Sequence, residues 1–168
     1  MLVGGPTRGV KMNKALVIVD MQKAFLDPLP IGSVDKLIRD IQERAKRANK
    51  LGWKVIPVEF HGSGPTISDL TFPFSEQAIK KKTMGGGNEV VNKHPGLDVA
   101  EVVGVYSDQC VMCTASGMVK RNVKANLRLD HTLPYYAENP KWKSFVKETI
   151  ETYIGRYHKD TSGLFQIV

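Results

Sequence analysis

Short continuous apolar runs alternate along this chain with stretches whose apolar residues recur every three to four positions. The first run, KALVIVDMQ, contains an acid at Asp20; a run of this length and density predicts a strand buried on both faces of a parallel sheet. After the turn-rich LDPLPIGS, Ser33 is placed to cap a helix with Val34, Leu37, Ile38, Ile41, Ala45 and Ala48 on one face. Gly52 stands where a C-terminal cap belongs. WKVIPVEF predicts a second strand, residues 61–76 a loop, QAIKK a short third strand and TMGGG a flexible loop. Asn88 begins a short helix to about His94, and AEVVGVY is a further buried strand. A helix is expected from Cys110 to about Lys120, and VKANLRLD is a strand ending at Asp130. Asn139 is expected to cap a helix with Pro140 at its first position. The apolar face of that helix is Trp142, Phe145, Val146, Ile150 and Tyr153, and GRYHKDTSGLFQIV closes the chain.

Strands alternating with helices predict an α/β fold, a three-layer α/β/α sandwich with a mostly parallel central sheet. A single domain is expected over residues 14–168, behind a flexible N-terminal lead-in at 1–13. Open parallel sheets bind ligands outside the carboxyl ends of their strands. The positions of interest are therefore Asp20, Glu59 with His61, Lys80 to Lys82, Tyr106 to Cys110, and Asp130.

Composition narrows the classes. The 168 residues, 42% apolar and 24% charged, are those of a soluble globular domain. No apolar run approaches the ~20 residues of a membrane span, and the opening MLVGGPTRGVKMNK has no apolar core of a signal peptide. Two cysteines are too few for a disulfide scaffold, so a cytoplasmic, reducing setting is expected. The net charge of +7 is spread over helix faces such as RDIQERAKRANK and mixed with acids. Without an aromatic-interleaved basic stripe it reads as solvated surface rather than a nucleic-acid interface.

The chemistry-bearing residues leave alternatives open. Cys110 follows a strand and a short turn and opens a predicted helix, where free N–H groups favour thiolate and can hold an oxyanion; it is either a nucleophile or an inert buried thiol. Cys113, one turn on, allows a redox pair or simple packing, and a zinc site would want two more ligands nearby. Asp20 is a capping or ion-pairing acid, or a general base beside the thiol. Among Lys80, Lys81 and Lys82, alternation along a strand turns one or two towards the cleft.

ALVIVDMQKAFLDP and EVVGVYSDQCVMCTASGMVKRNVKANLRLDHT, in that order, resemble the opening strand and the nucleophile segment of the isochorismatase-like cysteine hydrolases. That family includes nicotinamidases and N-carbamoylsarcosine amidases, and the resemblance covers roughly residues 14 to 155. It implies that Asp20 is the general base, Cys110 the nucleophile and Lys81, from an I-x-K pattern, the catalytic lysine. It also implies a cis peptide at Val105–Tyr106 and an oxyanion hole from the backbone N–H groups of Tyr106 and Cys110. The implied reaction is hydrolysis of a C–N bond, amide or ureido, in a small-molecule substrate through a Cys thioester, by a homo-oligomer (dimer or tetramer). Isochorismatases proper cleave a vinyl ether without depending on a cysteine, and Cys110 leans the reading towards C–N cleavage. The metal-binding D-x-H of nicotinamidases is replaced by Glu59-Phe60-His61, with no second histidine in GSGPTISDL. No cofactor or metal is therefore expected, Glu59 and His61 being the candidates if there were one, and nicotinamide is not supported as substrate. The rival classes are a thiol redox protein using Cys110 and Cys113, and a catalytically idle binding module on the same fold. The terminal GLFQIV would cover either a subunit interface or its own subunit.

Overall fold

The computed structural model describes residues 11–71, 74, 76–161 and 163–168. Most of the expected lead-in lies outside them. Asn13 is anchored, its N–H donating to Asp98 Oδ2 at 2.8 Å and its Nδ2 to Gly96 O at 3.0 Å.

Among the described residues, six parallel strands form one sheet in the order β3-β2-β1-β4-β5-β6. They are β1 (Lys14–Val19), β2 (Lys54–Phe60), β3 (Ile79–Lys81), β4 (Val99–Val105), β5 (Lys124–Leu133) and β6 (Phe165–Ile167). The helices are α1 (Lys23–Leu26), α2 (Ile31–Lys50), α3 (Gly87–Lys93), α4 (Met112–Val119) and α5 (Trp142–Tyr157). The continuous apolar runs are the central strands because both their faces are covered. Ala15, Val17 and Val19 of β1 pack with α3, α4 and α5, while Leu16 and Ile18 pack with α2. The result is the expected three-layer α/β/α architecture. Among the described residues no helix is long and apolar enough to cross a membrane.

Several boundaries differ from expectation for identifiable reasons. Helix α2 starts at Ile31, ahead of Ser33, because Pro30 supplies the extended residue before the helix and its carbonyl accepts from Val34 N at 3.0 Å. The other end is as expected: Gly52, at φ +77°, follows the last turn, and Trp53 N donates back to Ala48 O at 2.9 Å. Helix α5 starts at Trp142, not Pro140, since Asn139 Oδ1 takes the Lys141 N–H at 2.9 Å and closes a separate turn. Its buried face is Val146 and Ile150 with Trp142 and Tyr153 packed against it, whereas Phe145 is exposed. GLFQIV packs on its own subunit, adding β6 to β5 with Phe165 buried.

An acid inside the β4 run is answered across the sheet. Glu101 is buried and accepts from Arg44 Nε at 2.5 Å and Nη2 at 2.7 Å, and from Arg128 Nε at 2.8 Å and Nη2 at 3.2 Å. These two guanidinium groups overcome the cost of burying the carboxylate and hold it below its ordinary pKa.

Candidate active site

The carboxyl ends of β1, β3 and β4 converge on three side chains. Asp20 directly follows β1, Lys81 is the last residue of β3, and Cys110 lies in a wide turn, Ser107–Val111, that leads from β4 into α4. Cys110 therefore precedes α4 by a turn rather than opening a regular helix. Asp108 in that turn departs from helical geometry, at φ −101° and ψ 18°.

Lys81 is fully buried and Asp20 is 1% exposed. Lys81 Nζ donates to Asp20 Oδ2 at 3.1 Å, Thr83 O at 3.2 Å and Met84 O at 2.9 Å, and lies 4.6 Å from the Phe60 ring centre. Its neighbours divide as strand alternation requires: Lys80 pairs with Glu59, while Lys82 is exposed. Cys110 and Asp20 lie near enough to shift each other's titration, and Asp20 Oδ1 is buried without a hydrogen-bond partner among the described residues.

The electrostatics differ from the expectation for a helix-opening thiol. Burial, then the Asp20 charge and hydrogen bond, push the Cys110 thiol up to about 12, with Lys81 pulling the other way. Burial also raises Asp20, against the opposing pull of Cys110 and Lys81. The resting arrangement is thus a neutral thiol leaning on a carboxylate that binds a proton more readily than usual. That pair suits proton transfer at the moment of attack better than a standing thiolate.

Two backbone features shape the site. The Val105–Tyr106 peptide is cis, at the expected bond. Gly104, at φ +118°, brings β4 so close to β1 that a Cβ there would overlap the Val19 carbonyl, one residue from Asp20. Further contacts hold the Ser107–Val111 turn. Ser107 Oγ donates to Thr132 Oγ1 at 2.7 Å, Thr132 Oγ1 donates to Leu129 O at 2.8 Å, and Tyr106 OH donates to Phe25 O at 2.7 Å. Phe25 sits edge-on to both Phe60 and Tyr106, at 6.1 and 6.2 Å between ring centres. These aromatic and hydroxyl partners went unnoticed in the sequence, where nothing in their spacing links positions 25, 60, 106 and 132.

Glu59 and His61 are not drawn into this cluster. The Glu59 carboxylate accepts from Lys80 Nζ on one oxygen and, on the other, from Thr66 N at 2.7 Å and Thr66 Oγ1 at 2.8 Å. His61 is exposed. With an ammonium already on Glu59 and no group of three His, Cys, Asp or Glu able to hold an ion among the described residues, these side chains do not fit a metal. Glu59 instead ties the loop after β2 to β3. Asp130 is exposed and pairs with Lys143 at 3.1 Å, outside the cluster. Cys113 is half-buried on α4 and is not disulfide-bonded.

Comparison with solved structures finds the same fold elsewhere. The chain is similar to a putative MAR1 ribonuclease from Leishmania major, at 18% identity and a TM-score of 0.73 over 94% of this chain and 78% of that one. It is also similar to N-carbamoylsarcosine amidase from Thermoplasma acidophilum (17%, TM-score 0.68, 93% and 95% covered). A third is pyrazinamidase of Pyrococcus horikoshii in complex with zinc (17%, TM-score 0.61, 93% and 98% covered). At these identities the likeness is one of fold. No curated protein matches the sequence significantly. The family model for the isochorismatase domain matches residues 14–130, a span that holds Asp20, Lys81 and Cys110. The chain belongs to the isochorismatase domain family.

Proposed function

We propose that this protein is a cysteine hydrolase that cleaves a C–N bond, amide or ureido, of a small molecule through a Cys110 thioester. The observation that carries the reading is the solvent-excluded Lys81–Asp20 pair set against the Cys110 thiol. Asp20 takes the thiol proton as sulfur attacks the carbonyl carbon, and Lys81 offsets the charge that develops. The tetrahedral oxyanion is held by the backbone N–H groups of Tyr106 and Cys110. Collapse breaks the C–N bond, the leaving nitrogen takes the proton from Asp20, and the acyl group stays on sulfur. Water then gives a proton to Asp20 and attacks the thioester. The carboxylic or carbamic acid leaves, and the proton returns to the thiolate. No step needs a metal. Assembly as a dimer or tetramer in a cytoplasmic setting belongs to the same reading, and sedimentation velocity reads the assembly.

The test is ammonia or amine release from a panel of carboxamides and ureido compounds, with intact-protein mass spectrometry to catch the acyl adduct. Turnover lost in Cys110→Ala and Asp20→Asn, with an adduct on Cys110, supports the reading; turnover surviving in Cys110→Ala overturns it. A redox protein would instead form a reversible Cys110–Cys113 disulfide and tolerate loss of Asp20. An idle binding module would show neither turnover nor adduct.

A further inference from the structure

The stretch Thr83–Gly87, expected to be a flexible loop, is a strap wedged between the lysine and the nucleophile helix. It reads as flexible because it holds three consecutive glycines. The glycines serve close approach instead. A Cβ on Gly85 would stand 2.9 Å from Cys113 O, and one on Gly86 would stand 2.9 Å from Val58 Cγ1 and 3.0 Å from Lys81 Cδ. A Cβ on Gly87 would overlap Thr114 O. The strap therefore lies against the Lys81 stem on one side and α4 on the other, with no room for a side chain at its three glycines.

Two of its carbonyls, Thr83 O and Met84 O, accept from Lys81 Nζ at 3.2 and 2.9 Å, and Asp20 Oδ2 is the third acceptor at 3.1 Å. An ammonium has three protons, and these three acceptors fix its position. What fixes the strap is a side chain of the nucleophile helix. Gly86 N donates to Thr114 Oγ1 at 3.0 Å, and Thr114 is fully buried.

We propose that Thr114 is a positioning residue: by accepting the Gly86 N–H, its hydroxyl oxygen pins the strap that holds the Lys81 ammonium against Asp20. The proposal rests on the Asp20–Lys81–Cys110 reading above. A buried N–H that loses its acceptor must find another or go without. The strap shifts to meet that need, and the Lys81 ammonium moves with the carbonyls that hold it.

The experiment compares Thr114→Val, which keeps the shape and removes the acceptor, with Thr114→Ser, which keeps the acceptor. The readout is the rate of Cys110 alkylation by iodoacetamide between pH 7 and 9, resolved from Cys113 by peptide mass spectrometry. Below the thiol's pKa this rate follows the thiolate fraction, so one unit of upward shift is a tenfold loss. Thr114→Val is expected to slow Cys110 alkylation about tenfold across this range, Thr114→Ser to remain near wild type, and Thr114→Val added to Lys81→Ala to slow it no further. If Thr114→Val lowers only the melting temperature and leaves the alkylation profile in place, Thr114 is merely structural and the proposal falls. If Lys81→Ala itself leaves the Cys110 rate unchanged, the triad reading fails and takes the proposal with it. Should Thr114→Val not fold, Thr114→Ala against Thr114→Ser decides: equal Cys110 rates overturn the proposal, and a slow Ala with a normal Ser upholds it.

Discussion

Lys81 Nζ stands 3.1 Å from Asp20 Oδ2 in a pair that solvent does not reach. Burying both charges costs more than the pair alone returns, and the two Lys81 bonds to Thr83 O and Met84 O help to offset it. Removing one partner strands the other. Lys81→Met is expected to lose about 3 kcal/mol of unfolding free energy. Adding Asp20→Asn should recover at least about 1 kcal/mol through the coupling of adjacent groups. Urea unfolding of the two single variants, the double variant and the wild type measures that coupling; strict additivity would mean that the pair does not bear on stability.

Asp20 also sets the reactivity of its other neighbour. Its charge and hydrogen bond are among the causes that push Cys110 up to about 12, while Lys81 pulls it down. Asp20→Asn removes its share of the upward push and leaves burial alone to oppose Lys81. The variant is therefore expected to alkylate at Cys110 at least about tenfold faster than wild type at pH 8, while losing the proposed C–N hydrolysis altogether. Asparagine tolerates the left-handed backbone at this position, φ +54°, so the comparison is not clouded by strain. Slower alkylation in Asp20→Asn would show that Asp20 promotes rather than restrains the thiolate.

Gly104 joins the two strands that carry these groups. Its φ of +118° and its contact with Val19 O leave no place for a methyl group. Gly104→Ala is expected to cost about 3–5 kcal/mol from backbone strain and overpacking together. Thermal unfolding checks this. A melting temperature within about 2 °C of wild type would mean that β1 and β4 separate with little cost.

His158 gives the fold a pH dependence separate from the site. It is 3% exposed at the end of α5, and its Nε2 lies 2.7 Å from Ser116 Oγ, which also meets Tyr153 OH at 2.9 Å. The Phe165 ring of β6 is its other neighbour, at 5.5 Å. Burial, then the Lys120 charge, lowers its pKa from 6.5. The unfolded chain therefore binds a proton that the folded chain refuses, so this contribution is flat above pH 6.5. Stability falls as pH drops below 6.5, by up to about 1.4 kcal/mol per pH unit, until the folded pKa is passed. His94 and His131 are lowered as well and act in the same direction. Between pH 7 and 5, His158→Gln is expected to lose melting temperature less steeply than wild type. Parallel curves would assign the acid sensitivity to the other histidines.

The strands and the paired helices were legible because burial on both sheet faces or on one helix face writes itself into hydrophobic spacing. Asp20, the Lys80 to Lys82 run and Cys110 stood out as candidates because each ends or follows such a run, while the choice of Lys81 among the three lysines came from the family resemblance. What escaped was decided by tertiary contact. The TMGGG strap has the composition of a mobile loop and the packing of a core segment. Glu101 is invisible within AEVVGVY until Arg44 and Arg128, 57 and 27 residues away, arrive to meet it. The Cys110 environment was misjudged because a helix terminus is local, whereas burial and the Asp20 charge come from elsewhere in the fold.

The Glu59 position argues the same point through the metal question. Glu59 is 4% exposed, and Lys80 with Thr66 holds it below its ordinary pKa despite burial. An added divalent ion would have to displace an ammonium and two hydrogen bonds and still find ligands beyond His61. Calorimetric titration with zinc is therefore expected to show no site at Glu59, and a chelator should leave hydrolysis unchanged. Glu59→Gln keeps the Thr66 contacts but loses the charge opposite Lys80. It should loosen the 61–70 loop and raise KM more than it lowers kcat, since it ties down a loop beside the site rather than touching the thiol. A stoichiometric zinc heat that disappears in Glu59→Gln would show that the carboxylate is a ligand after all.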